Sequence, residues 1–295
     1  MNRLPGPKDL IKYIPAFIII GALFIFLLAL VNYAGNDGLK REISNLKLDK
    51  TINLATQDEV SVELVHLNGL NDSLTKATQG YYQAARALEE EVIQGKSPYR
   101  IAYLTFDDGP FLKTQDYLEV LNRYDVLGTF FVLGKTDYIE TYRDIVGQGH
   151  TLGNHTYSHK IWEGLYDNPA SFMTDVDKLD LFLQENIGLR SRVFRFPGGS
   201  LAAGEIREEC ISALHESGYK YVDWNALTRD AEVKGLTLEG AYENLMPLAT
   251  SKSMAVILMH DFNSASLGAL PTIIEDLQAQ NYVLLPLFDN SLVLK

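Results

Sequence analysis

The chain has 295 residues, 46% of them hydrophobic, enough for one well-packed domain with appended segments. A formal net charge of -12 argues against a nucleic-acid binder, which needs clustered Lys and Arg to neutralise phosphates. Its single cysteine, Cys210, excludes an intrachain disulfide; within a helical pattern it reads as a buried, inert thiol.

Arg3, Lys8 and Lys12 precede an apolar run, residues 14–31, with no charged or strongly polar side chain. At about 1.5 Å per residue this run is about 27 Å long, close to the thickness of a bilayer core. A cleaved signal peptide has a shorter apolar region of about 7–15 residues and a small-x-small exit. The exit here is Leu30-Val31-Asn32-Tyr33-Ala34-Gly35. The expectation is an uncleaved transmembrane anchor over residues 14–34, with residues 1–13 in the cytoplasm and the remainder outside the cell. Lys40 and Arg41 weaken the charge bias, but long domains translocate largely regardless of charge.

Residues 35–97 form a polar connector, read as a helical stalk. Leu67, Leu70, Leu74, Ala77, Tyr81, Ala84 and Leu88 are spaced by three and four, interrupted by Gly69 and Gly80. Two roles are open for this stripe: packing on the following domain, or self-association. Gly95-Lys96-Ser97-Pro98 marks its end.

From residue 98 to 295, short apolar runs alternate with helical patterns, the signature of repeated β-α units and a mainly parallel sheet. Strands are expected at 101–106, 129–133, 151–153, 193–196, 219–223, 255–259 and 282–285, and helices at 169–185, 204–216 and 236–249. Asp107 and Asp108 end the first run, where two carboxylates are expensive to desolvate without compensation. Adjacent strand residues point to opposite faces, so the two need not share a task. His155 and His159 are four apart, the spacing that puts both imidazoles on one face of a helical turn and within reach of one metal ion. With one Asp they make a His-His-carboxylate set with open positions, the pattern of a catalytic site. His150 and His215 match no motif and are read as non-catalytic.

Four motifs occur in order: Thr105-Phe106-Asp107-Asp108-Gly109-Pro110, His155-Thr156-Tyr157-Ser158-His159, Arg195-Phe196-Pro197-Gly198-Gly199 and Leu258-Met259-His260-Asp261. Together they resemble the polysaccharide deacetylases, the NodB-homology esterases of carbohydrate esterase family 4, over about residues 98–295. The resemblance implies a distorted (β/α) barrel with its site at the carboxyl ends of the strands. It also implies metal-dependent removal of acetyl groups from N-acetylated sugars. By position, Asp108, His155 and His159 are the implied ligands of a divalent metal, zinc first, with cobalt and nickel compatible. Asp107 is the implied general base and His260 the general acid. Arg195 and the metal would keep Asp107 ionised, and Asp230 matches the residue that orients the motif arginine. Gly198 is the candidate to offer its backbone N–H to the oxyanion, and Leu258 the wall facing the acetyl methyl.

Leu227 and Ala231 stand where the family carries an Asp and a Trp, so the acetyl pocket must be rebuilt, with Trp224 as the candidate. Two readings of different class follow. One is a membrane-tethered deacetylase acting on N-acetylglucosamine units of peptidoglycan or a related surface polysaccharide. The other is a glycan-binding surface module on the same fold without turnover. The intact set of Asp107, Asp108, His155, His159, Arg195 and His260 favours the enzyme.

Overall fold

Strand β1 (Arg100–Gly109) begins with Ile101–Phe106, and every one of these residues is buried. A strand with no solvent face belongs at the centre of a parallel sheet covered on both sides. In the computed structural model, which describes residues 78–295, β1 takes that place. The expected anchor at 14–34 and the stalk up to residue 77 lie outside the described residues.

Strand β7 (Met254–His260) runs along one edge of β1, from Ile101↔Met254 to Asp107↔His260. The other edge is shared by β8 (Tyr282–Leu284) at the start of β1 and β2 (Thr129–Val132) at its end. The sheet continues through β3 (Thr151–Asn154), β4 (Val193–Phe194) and β5 (Lys220–Tyr221), and on the far side ends at β6 (Ala226–Leu227). All these pairs are parallel. The expected distorted barrel is thus a half-barrel whose order ends at β5 and β6. Three of the strands near its ends have only two residues each, too short to carry a closing ladder. Tyr221 instead exchanges backbone hydrogen bonds with Lys295, which occupies the outer edge of β5.

Helices α2 (Thr114–Arg123), α3 (Ile139–Gly147), α4 (Pro169–Ile187), α5 (Arg207–Glu216), α6 (Leu238–Thr250) and α7 (Ser264–Ala279) intervene between the strands. Helices α4, α6 and α7 start on side-chain caps. Asn168 caps α4 by accepting from the Ser171 N–H, with Pro169 in the first turn, and Gly188 ends it at φ 75°. Asn263 caps α7 three residues after His260, which fixes the chain direction just beyond the site.

The expected strands at 193–196 and 219–223 shorten to β4 and β5. Pro197 has no N–H for a ladder, and Gly198 and Gly199 turn the chain at φ 74° and 83°. β6 was not expected; it is only two residues long and follows a turn through Asp223-Trp224-Asn225.

Helix α1 is helical from residue 78 to residue 93. Its buried positions are Ala85, Glu89 and Val92, while Leu88 of the expected stripe is only half-buried. The buried face is therefore displaced by one residue. Glu89 is fully buried because the Tyr103 hydroxyl and the Leu292 N–H (3.0 Å) donate to its carboxylate. No apolar pattern could announce a buried carboxylate.

Candidate active site

Asp108 sits at φ 71°, a left-handed conformation, and the register with β2 slips between Asp107 and Gly109. The slip undoes the strand alternation expected for adjacent residues. Both carboxylates approach His155: its Nε2 lies 3.7 Å from Asp107 Oδ2 and 3.5 Å from Asp108 Oδ1. The unusual peptide is held from outside by Lys135, whose Nζ donates to the Asp108 carbonyl at 2.8 Å. Below it, a Cβ on Gly109 would fall 2.1 Å from Asp261 Oδ2, so only glycine fits.

His155 and His159 do not share a helical turn. Residues 155–160 form a loop, with Thr156 at φ 67° and His159 at φ 55°. Side chains shape it in place of helical bonds: Asn154 Oδ1 accepts from the Thr156 N–H (2.8 Å), and Asp175 accepts from the Ser158 N–H and hydroxyl (2.8 and 2.9 Å). The result still brings both Nε2 atoms to one point, 3.5 and 3.3 Å from Asp108 Oδ1. The Arg195 carbonyl can only accept, so His155 Nδ1 donates to it at 2.7 Å and Nε2 is left without a proton. Burial pushes His155 down to about 3, so the ring is neutral, the form that ligates a metal.

Whether a divalent ion suits these residues can be judged from their own chemistry. Asp108 Oδ1 is buried and has no hydrogen-bond partner. It lies with the His155 and His159 ring nitrogens in a group whose atoms are all within 4.8 Å of one another. An orphaned carboxylate oxygen facing two imidazole nitrogens fits a zinc-like ion with open positions.

Arg195 is fully buried beside this group. It donates to Asp107 Oδ1 (2.9 Å), Thr105 Oγ1 (2.6 Å), the Val222 carbonyl (3.2 Å) and the Asp223 carbonyl (3.4 Å). Its guanidinium also lies 4.2 Å from the centre of the Phe131 ring. Burial pushes the Asp107 carboxyl above its ordinary range, opposed by Arg195, His260 and His159.

Asp230 does not orient the arginine. Its Oδ1 meets His260 Nδ1 at 2.7 Å, and its Oδ2 accepts from the His260 N–H (2.9 Å) and the Ser266 hydroxyl (2.5 Å). The cause is register: Leu227 of β6 stands opposite Leu258 of β7, so the residues just beyond them meet across the strand ends. Burial disfavours the charged imidazole, but the Asp230 hydrogen bond and the charges of Asp230, Asp107 and Asp108 outweigh it and push His260 up to about 9. Its Nε2 is 3.8 Å from Asp108 Oδ2.

Gly198 is exposed at the turn after β4, and the loop is anchored by Ser200, whose N–H and hydroxyl donate to Asp223 (2.8 and 2.6 Å). Trp224 lies against this loop; a Cβ on Gly199 would be 3.2 Å from its ring, and the Arg195 guanidinium is 5.8 Å away. Leu258 is buried between Thr105 and Leu227 of the adjacent strands. His150 is buried and accepts from the Gly128 N–H (3.0 Å), while His215 is exposed. The Cys210 thiol is buried and pushed up to about 11 by desolvation, unsuited to act as a nucleophile.

Sequence reasoning missed Lys135, the Thr105 hydroxyl, Asp175 and Asp261. Thr105 and Asp261 belong to the quoted motifs and could have been read from them. Lys135 and Asp175 reach the site by folding alone. Asp261 is buried, bonded to the Thr114 hydroxyl at 2.5 Å, and burial pushes it up to about 7.

The family model for polysaccharide deacetylase matches residues 94–222. A peptidoglycan-N-acetylglucosamine deacetylase of Bacillus cereus is 30% identical over 191 residues, covering 62% of this chain and 67% of that protein. A chitin deacetylase of Colletotrichum lindemuthianum is 28% identical, covering 65% and 79%. Among solved structures, the catalytic domain of a peptidoglycan N-acetylglucosamine deacetylase from Eubacterium rectale superposes with a TM-score of 0.61 at 32% identity, over 65% of this chain and 90% of that one. A Streptococcus mutans CE4 esterase gives a TM-score of 0.61 at 29% identity, over 68% and 91%. In sequence and in fold, the chain belongs to the polysaccharide deacetylase family, hydrolases of the N-acetyl amide bond in polysaccharides.

Proposed function

We propose that this chain is a metal-dependent deacetylase that hydrolyses the acetamide of N-acetylglucosamine units in peptidoglycan or a related surface polysaccharide, releasing acetate. The observation that carries the reading is the convergence of Asp108 Oδ1 with two imidazole Nε2 atoms beside a separately held carboxylate and imidazole. Asp108, His155 and His159 would hold the ion, zinc first, with cobalt or nickel compatible. When bound it supplies Lewis acidity, polarising the amide carbonyl and lowering the pKa of water.

The remaining roles fall to the chain's own groups. Asp107, fixed by Arg195, accepts the proton of the attacking water, and its raised pKa makes it a better base than an exposed Asp. His260, held as the imidazolium by Asp230, gives its proton to the departing sugar amine. Gly198 offers its N–H to the oxyanion, while Leu258 and Trp224 supply apolar surface around the acetyl group. The peptidoglycan and chitin deacetylases among its relatives support an N-acetylglucosamine polymer as substrate. The anchor at 14–34 would hold the domain on the outer face of the cell membrane, near such a polymer.

Asp107→Asn should lose roughly 10²–10⁴-fold in turnover, the usual worth of a positioned base, while metal content stays that of the wild type. Loss of the metal in this variant, with the metal kept in Asp108→Asn, would exchange the two roles.

Asp230→Asn tests the acid. The negative charge of Asp230 favours protonated His260, so its removal lowers the imidazole pKa. The basic limb of the kcat/KM profile should then move to lower pH; an unmoved limb would separate Asp230 from the acid's titration.

For the cellular address, protease added to intact, wall-stripped cells should remove the domain from full-length protein. Complete protection would reverse the orientation.

A further inference from the structure

Trp162 is 94% exposed and Leu201 is 81% exposed, although both sit in ordered turns beside the site. Each stands three residues beyond a site residue, Trp162 after His159 and Leu201 after Gly198. The two turns touch: Ile161 Cδ1 and Ala202 Cβ each lie 3.2 Å from where a Cβ on Gly198 would be. We propose that Trp162 and Leu201 form a stacking platform for a second pyranose ring of a polymeric substrate, next to the sugar that is deacetylated.

The backbone beneath the indole is fixed. Ile161 N–H donates to the His159 carbonyl (2.9 Å), and Leu165, buried in a core of its own with Phe172 and Phe196, closes the turn onto Lys160 (3.2 Å). Tyr166 donates to the Pro197 carbonyl at 2.9 Å and ties this loop to the one carrying Gly198. A rigid support under a free indole is a preorganised surface, for little freedom remains to be lost on binding. A pyranose ring suits it: its C–H face is apolar and stacks on an aromatic face, while its hydroxyls lie at the rim. Lys160 and Glu163, on either side of Trp162 in the chain, form a paired, exposed donor and acceptor (2.5 Å) of the kind that meets such hydroxyls. The pair carries no net charge, so this surface has no local attraction for anionic lipid headgroups.

The inference rests on the deacetylase reading and adds which side chains hold the sugar next to the one that reacts. It is tested on the full-length chain with a pentamer of N-acetylglucosamine and an aryl acetate. Trp162→Ala should raise KM for the pentamer about five- to tenfold, the worth of one aromatic stack, with kcat little changed. Aryl acetate turnover should be unchanged, and Trp162→Phe should restore most of the affinity. Pentamer binding measured by calorimetry in the Asp107→Asn background should weaken by the same factor on adding Trp162→Ala. Equal pentamer affinity with and without the indole would overturn the platform, even if acetate release proves the deacetylase reading right. If the wild type binds the pentamer yet releases no acetate, the deacetylase reading fails, and the affinity comparison still decides the platform.

Discussion

A guanidinium with no solvent exposure must have its charge met and its donors filled by the protein itself. In doing so Arg195 joins most of the site. Its side chain binds Asp107 and Thr105 of β1 and the carbonyls after β5, and stacks on Phe131 of β2. Its N–H donates to the Asn154 carbonyl of β3, and its own carbonyl fixes the tautomer of His155. Gly153 leaves room for the Phe131 ring under the guanidinium: a Cβ there would lie 2.3 Å from it. Breaking a buried pair by removing one partner costs about 3–5 kcal/mol, so Asp107 and Arg195 stand or fall together.

Around that pair the site separates groups that would otherwise interfere. Asp107 faces a cation and Asp108 faces the two imidazoles, although they are neighbours on one strand. The left-handed Asp108 makes the separation possible, and Lys135 holds its peptide in place. Two of the site histidines, His155 and His260, are tuned in opposite senses by the same physics. His155, buried and facing a carbonyl through Nδ1, is neutral; His260, half-buried and facing the Asp230 carboxylate through Nδ1, is charged near neutral pH. One nitrogen partner decides whether each ring ligates or donates a proton.

Much of this was legible in the sequence, because β-α alternation delivers strand ends to one face and the four motifs fall at those ends. The rest depended on contacts that no local pattern carries. The partner of Asp230 is set by the pairing of β6 with β7, and β6 is a two-residue strand with no periodicity to detect. The His155–His159 spacing suggested a helical turn, but Asn154 and Asp175 bind the loop's N–H groups and hold it in another shape that serves the same convergence. The α1 face was read one residue out of place because a buried Glu89, satisfied by Tyr103 and Leu292, looks like a surface residue in a hydropathy pattern. Lys135 sits on a loop after β2, where nothing nearby in the chain marks it as part of the site.

The account depends on the Asp108, His155 and His159 cluster being a working metal centre. The direct measurement is acetate release from an N-acetylglucosamine polymer by the full-length protein before chelation, after chelation and after zinc is restored. The account predicts that release stops when the metal is stripped and returns with zinc in the wild type, but not in the His155→Ala, His159→Ala double variant. Undiminished acetate release from protein shown to be free of metal would contradict it.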